Sequence, residues 1–460
     1  MIRSLSALLT LAALATAAGA ADAAPASGGK PNVIVFLSDD VGWAEYGFQG
    51  AKDIPTPNID SIAKNGTRFT DGYVAATYCS PCRAGLMTGR YPTRFGHEFN
   101  EGGGKGKGKG KGPVPFGLPL TETTFPQRMK ALGYATCAIG KWHLGGTKEY
   151  LPMARGFDEF YGTVANTPFY NPPNFIDSRK SPDVSPVKDE NFYTTDAYRD
   201  RAVDWIGKQK DKPYFLYFPF NAQHAPLEPA APKKYMDRFP NIADPKRKIF
   251  AAAMSAMDDA VGAVLKQVRD MGQEENTLVV FLADNGGPTA QTTSSNGPLR
   301  GFKAQTSGGG TRFPFCIQWK GKIPAGKDFN FPIQNLDILP TALTAAGGKV
   351  DPAWKLDGVD LMPYLTGANT ARPHESLFWR FGDQWAVRKG EWKLVASKID
   401  QLKPRLINLA EDIGEANDLS EKNPEKLKEL QAVYKAWNDE QHEPLWKPNP
   451  APKKKAKEKT

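Results

Sequence analysis

The sequence predicts an α/β protein with a large mixed, mostly parallel sheet between helices, followed by a small C-terminal antiparallel sheet plus helix. Three observations carry this. Four unbroken apolar runs at 31–37, 134–139, 213–220 and 277–282 lack the alternation of a half-exposed strand, as expected of strands buried on both faces. Helical patterns separate them. After about residue 348 the pattern changes to short strand-like segments. A chain of 460 residues can bury one large core and add a smaller domain.

The two ends and one internal loop stand apart. Residues 1–24 read as a signal peptide: Arg3 supplies the positive start, 5–18 is apolar, and Ala18 to Ala24 is a small-residue cleavage region. No later stretch is long and apolar enough to span a bilayer. The expectation is an exported chain, periplasmic or secreted, with no stable membrane anchor. The principal domain is expected at 30–350, a small α+β domain at 351–443 and a basic disordered tail at 444–460. Residues 102–112 form a Gly-Lys repeat, read as a flexible loop. That repeat and the tail hold most of the formal net charge of +9. The rest is nearly balanced, which argues against a nucleic-acid partner. Four cysteines, Cys79, Cys82, Cys137 and Cys316, are too few for a disulfide scaffold. They lack the second Cys or His pair of a structural zinc site. Cys79-x-x-Cys82 by itself allows a redox pair.

The run 31–37 ends in Ser38-Asp39-Asp40, two adjacent carboxylates of the kind that suit a hard cation. A short helix follows at 56–66, with Thr56 as cap, Pro57 at its first position, Gly66 closing it, and Ile59, Ile62 and Ala63 facing inward. In 78–90, Pro81 suits the first turn of a helix, so Cys79 lies just before a helix N-terminus. Free N–H groups and the helix dipole favour anions there, and Arg83 lies one turn on. Residues 91–100 lead away and line the pocket, with His97 and Asn100 as candidate substrate contacts. After a helix at 123–132, the strand 134–139 runs into Gly140-Lys141-Trp142-His143-Leu144-Gly145. Lys141 and His143 share a direction if that backbone is extended. The proline- and aromatic-rich stretch 150–196 reads as substrate-facing insertions. A helix at 195–206 precedes strand 213–220 and His224-Ala225-Pro226. A long helix at 249–268 precedes strand 277–282 and Asp284-Asn285. A further strand is expected at 313–319 and a helix opening at 335–341. Strands at 376–379, 384–388 and 392–395 and a helix at 424–437 make up the small domain. Four strands thus end in groups with chemical capability, and open α/β sheets gather sites beyond their carboxyl ends.

Cys79-Ser80-Pro81-Cys82-Arg83, followed by Leu86-Met87-Thr88-Gly89-Arg90, resembles the type I sulfatase signature Cys-x-Pro-x-Arg with Leu-x-Thr-Gly-Arg after it. Asp39-Asp40, Gly140 to Gly145, His224-Ala225-Pro226, Asp284-Asn285-Gly286-Gly287 and the Lys303 segment occur in that family's order, and the resemblance covers about 31–419. It implies an alkaline-phosphatase-like fold and a sulfuric ester hydrolase. It further implies that Cys79 is oxidised to formylglycine by a maturation enzyme, and that the hydrated aldehyde attacks sulfur. Asp39, Asp40, Asp284 and Asn285, with the converted Cys79, would hold a divalent cation. The family implies calcium, and the residues leave magnesium open. Lys141 and Lys303 would clamp sulfate, Arg83 would stabilise the nucleophile, His224 would act as general acid, and His143 would contact the second hydroxyl. The substrate would be a sulfated small molecule, aryl sulfate or glycan. A phosphomonoester or phosphodiester hydrolase of the same superfamily and a non-catalytic binder of sulfated glycans are the rivals. One departure stands out: Gly308-Gly309-Gly310 occurs where the family has Glu-Gly-Gly. Cys82 offers Cys79 a disulfide after export, so conversion of Cys79 is expected to come first.

Overall fold

The computed structural model describes residues 29–101, 115–227, 229 and 231–446. The expected signal peptide, the Gly-Lys loop and the tail beyond 446 lie outside them. In chain order the strands are β1 (Asn32–Ser38), β2 (Thr67–Phe69), β3 (Gly72–Tyr73), β4 (Ala135–Lys141), β5 (Glu159–Thr163), β6 (Phe175–Asp177), β7 (Tyr214–Pro219), β8 (Thr277–Ala283), β9 (Phe315–Gln318), β10 (Lys327–Phe329), β11 (Ile333–Gln334), β12 (Ser376–Phe381), β13 (Gln384–Lys389), β14 (Trp392–Ala396) and β15 (Arg405–Asn408). The longer helices are α1 (Pro57–Lys64), α2 (Cys79–Thr88), α3 (Phe125–Ala131), α4 (Thr194–Gly207), α5 (Pro245–Asp270), α6 (Ile338–Ala345) and α7 (Pro424–Asp439).

The large sheet has the order β10-β2-β9-β8-β1-β7-β4-β5-β6. The four apolar runs are its parallel centre: β1 lies between β7 and β8, and β4 pairs with β7. Alternation along β1 splits the core in two. Val33, Val35 and Leu37 pack with Leu86, Met129 and Leu339 from α2, α3 and α6. Ile34 and Phe36 pack with Ile59, Trp205 and Met257 from α1, α4 and α5. Each such side chain, fully buried, contributes about 1.5–3 kcal/mol.

Several local expectations are corrected. Thr56 does not cap α1, because its hydroxyl accepts from Gly47 and donates to Asp60. Asp258 on α5 accepts from the Asn58 and Ile59 amides instead, and burial lifts its pKa to about 6. Gly66 does not close the helix, since Asn65 is the C-cap. A Cβ on Gly66 would lie 2.0 Å from the Ile317 carbonyl oxygen, so glycine is needed there for close approach to β9. The stretch 150–196 supplies β5 and the edge strand β6 to the large sheet. The tail does not begin loosely at 444. Leu445 donates to Gly96, and the Trp446 ring lies 4.9 Å from that of His97 and 5.2 Å from that of Phe116.

The small sheet, β12-β13-β14-β15, is antiparallel and carries α7 through Leu430 and Trp437. Its fourth strand, β15, adds to the three that the sequence predicts. The small sheet docks on the rest of the fold where Trp379 Nε1 of β12 donates to the Val74 carbonyl and Arg388 of β13 pairs with Asp71. Among the described residues no helix is long and apolar enough to cross a membrane.

His374 and Asp337 tie the start of α6 to the segment entering β12. His374 Nε2 lies 2.9 and 3.0 Å from the Asp337 oxygens, which also accept from the Gln334 and Val359 amides. Burial opposes the imidazolium, but the Asp337 carboxylate outweighs it and raises the His374 pKa above 6.5. A folded pKa above the unfolded one gives stability that is complete below about pH 6.5 and lost as pH rises through the folded value. His374→Asn is therefore expected to cost about 1.5–3 kcal/mol at pH 6 and less as pH rises. Denaturant titrations of both proteins from pH 5 to 9 check this. A stability gap that does not change with pH would refute it.

Candidate active site

Cys79 is the first residue of α2 and is fully buried. The chain enters extended at Tyr78 and turns directly into helix, so no side chain caps the end. The Ser80 amide donates instead to Asn100 Oδ1 at 2.9 Å. The Ser80 hydroxyl donates to the His143 carbonyl at 2.7 Å and lies 2.6 Å from His97 Nε2. His97 and Asn100, expected to contact substrate, therefore stand behind the helix start and hold it. His97 is fully buried.

The other expected site residues converge. Lys303 Nζ lies 3.1 Å from Cys79 Sγ and 2.5 Å from Asp40. Sγ lies 3.5 Å from Asp39 and 3.9 Å from Asp40. Lys141 Nζ pairs with Asp39 at 2.5 Å. Arg83 donates through Nε and Nη2 to Asp284, at 3.1 and 2.8 Å, and through Nη1 to the Lys141 carbonyl at 2.8 Å. Asn285 Nδ2 donates to Asp40 at 2.7 Å. His224 Nε2 stands 3.7 Å from Asp40, and its Nδ1 lies 2.6 Å from the Ala225 carbonyl oxygen. Lys141 and His143 both face this cluster, but not by alternation along a strand. His143 has φ of 61°, a left-handed conformation, as does Asp40 at 59°. Such values cost a non-glycine residue about 1–3 kcal/mol and concentrate at functional sites.

Three carboxylates meet three cations in this buried cluster. Lys141, His224, Arg83 and Lys303 together overcome the effect of burial and hold the Asp39 carboxyl well below its ordinary value. Burial, with the charge of Asp39 behind it, raises Asp284 to about 7. Burial also lowers His224 to about 4 and His143 well below 6.5, with Lys141 acting in the same direction on both. Both imidazoles are therefore neutral at pH 7. Burial pushes the Cys79 and Cys82 thiols up. A redox pair needs lowered thiol pKa values, so the Cys-x-x-Cys reading loses its chemistry.

A cation is suited by this donor set. One oxygen each from Asp39, Asp40 and Asp284, with Cys79 Sγ, lie within 4.8 Å of one another. Asn285 Oδ1 is buried with no hydrogen-bond partner, as a metal-facing amide oxygen would be. Hard oxygen donors of this kind fit calcium or magnesium. The surface cavity lined by Asn58, Arg238 and Asp258 contains none of these groups.

The roles of Ser80, and of His97 and Asn100 around it, were not visible in the sequence. Ser80 fills a variable position of the motif, and nothing in its neighbours marks it as a bridge between the helix start and the turn after β4.

The chain is similar to known sulfatases. The family model described as Sulfatase matches residues 31–348. The chain is 30% identical to the sulfatase YdeN of Escherichia coli (strain K12), over 91% of this chain and 87% of that one. It is 32% identical to N-acetylgalactosamine-6-sulfatase of Canis lupus familiaris, over 79% and 71%. Among solved structures it is similar to Ps i-CgsB in complex with k-i-k-neocarrahexaose. That match has a TM-score of 0.81 and 34% identity, covering 91% of this chain and 94% of that one.

Proposed function

The chain belongs to the sulfatase family, and on that premise we propose that it is an exported enzyme that removes sulfate from carbohydrates, using formylglycine made from Cys79 beside a calcium ion. At the coarser level it is a sulfuric ester hydrolase with the fold of the alkaline phosphatase superfamily. The observation that carries the finer reading is the placement of Cys79. A buried thiol held in its neutral form is a poor nucleophile, yet it sits at a helix N-terminus within reach of Lys303 and two carboxylates. Its sulfur marks the place that the formylglycine oxygens would take. Formylglycine would supply a hydroxyl nucleophile, and Asp39, Asp40, Asp284 and Asn285 would hold a cation that neutralises charge around it.

The remaining work falls to the chain's own side chains. Without a cation, the three carboxylates and three cationic side chains nearly cancel. A divalent ion leaves the site positive, which suits an anionic ester. Lys141 and Lys303 then hold sulfate oxygens, and Arg83 fixes Asp284 and the end of β4. His224 lies on the open side of the cluster, its side chain 19% exposed. Its contact with the Ala225 carbonyl leaves Nε2 for the leaving-group oxygen. Acting as general acid requires its imidazolium, which an anionic ester beside it favours. His143 is assigned to the second hydroxyl of the hydrated formylglycine. The carbohydrate class follows from relatives that act on or bind sugars, and a sulfated galactose-type residue is the first choice.

Mass spectrometry of the Cys79 peptide, after co-expression with a formylglycine-generating enzyme, tests the chemistry. Sulfate release from carrageenan oligosaccharides, measured beside matched phosphate esters, tests the substrate. An aldehyde without sulfate release, or faster phosphate release, would overturn this reading. His224→Gln is expected to slow alkyl sugar sulfates by about 10²–10⁴-fold and activated aryl sulfates much less, since only poor leaving groups need the proton. Equal losses on both would remove His224 from that role. Cys82 is buried against Asn335 rather than bonded to Cys79. Cys82→Ser is thus expected to keep or raise the aldehyde-bearing fraction, and a fall would count against it.

A further inference from the structure

Lys303 reaches Cys79 from a segment with no helix or strand of its own, and we propose that Gln384 is a positioning residue that sets that reach and that Glu415 supplies the carboxylate absent at position 308. This rests on the reading of Lys303 as a sulfate-binding group. Ala304, the next residue, has φ of 65°, so the turn needs external support. Two hydrogen bonds provide it. The Ala304 amide donates to the carbonyl of Thr77, two residues before Cys79, at 2.9 Å. The Ala304 carbonyl accepts from Gln384 Nε2 at 2.9 Å. Gln384 opens β13 and is fully buried. Its Oε1 accepts from the Ser397 hydroxyl at 3.1 Å and the Lys398 amide at 3.0 Å, so the side-chain amide cannot turn away. Arg300, three residues before Lys303, is held by Asp400 of the small domain through two bonds of 2.6 Å.

The three glycines at 308–310 complete this support. The Gly309 amide donates to the Arg300 carbonyl at 2.7 Å. A Cβ on Gly309 would lie 2.1 Å from the Gly301 oxygen, and one on Gly310 would lie 2.0 Å from the Gln305 oxygen. Those two positions admit no side chain. Gly308 differs, because the nearest atom to a Cβ there is Glu415 Oε1, at 3.2 Å. The Glu415 carboxylate therefore occupies the space into which a side chain at 308 would run. It is 1% exposed and paired at 2.6 Å with buried Lys393. Its Oε2 has no hydrogen-bond partner. Where the family motif carries a glutamate before two glycines, this chain brings a carboxylate to the same place from the small domain.

The test uses the matured enzyme, with kcat/KM on one sulfate ester, inhibition by inorganic sulfate and melting temperature as readouts. Gln384→Leu is expected to lower kcat/KM by about 10- to 100-fold and to weaken sulfate inhibition. In a Lys303→Ala background the same change is expected to add less than about 2-fold, because the group it positions is gone. If the double variant shows the full product of the two losses, Gln384 does not act through Lys303 and the proposal falls. If Lys303→Ala alone changes nothing, the reading of Lys303 has failed instead. Where leucine lowers the melting temperature, Gln384→Glu repeats the cycle, since it keeps the acceptor for Ser397 and removes the donor to Ala304. For Glu415, Gly308→Glu alone is expected to lose activity by crowding two carboxylates. Adding Glu415→Gly is expected to recover it, with the new carboxylate facing Lys393. A double variant no better than Gly308→Glu overturns the equivalence.

Discussion

Cys79→Ala is expected to reduce sulfate release by roughly 10⁵–10⁶-fold, the scale seen when a covalent nucleophile is removed. The loss should fall on kcat, and the fold should survive. The thiol is small, and its polar contacts are with Lys303, Asp39 and Asp40, all of which keep other partners. Side-by-side turnover and melting measurements check this. Residual activity above about one per cent of the parent would show that the nucleophile lies elsewhere.

Arg83→Ala should act on both stability and catalysis. Arg83 is fully buried and gives Asp284 two charge-assisted bonds while tying α2 to the end of β4. Removing one partner of a buried pair costs about 3–5 kcal/mol, because the other charge is left uncompensated. Asp284 can relieve part of this by taking a proton, since burial already raises its pKa to about 7. That proton competes with a cation, so calcium should stabilise the variant less than it stabilises the parent. Melting curves with calcium and with chelator give both numbers. Equal calcium-induced shifts in the two proteins would rule out the link.

The parallel centre of the sheet was legible because strands buried on both faces need unbroken apolar runs, and β1, β4, β7 and β8 have them. The cluster was legible for a related reason: those strands end together, so Asp40, Lys141, His224 and Asp284 must meet. Other features depend on contacts far apart in sequence. The carboxylate that serves the start of α1 comes from Asp258, and no local signal points to it. β15 has only two core residues, Leu406 and Ile407, too few for periodicity to register. His97 and Asn100 follow the motif closely, yet spacing cannot say whether a polar side chain faces the substrate or the back of a helix. The left-handed turn at His143 likewise broke the assumption of an extended chain, although the residue still reached the site.

The burial of Cys79 sets an order in time. Its walls come from segments that leave the ribosome much later: His224, Asp284 and then Lys303. An enzyme that oxidises this thiol would have to reach it while those later segments are missing or not yet docked. The finished fold would then exclude the catalyst that completes its own chemistry. A chain that folds faster than it is modified would stay inactive, however stable it became.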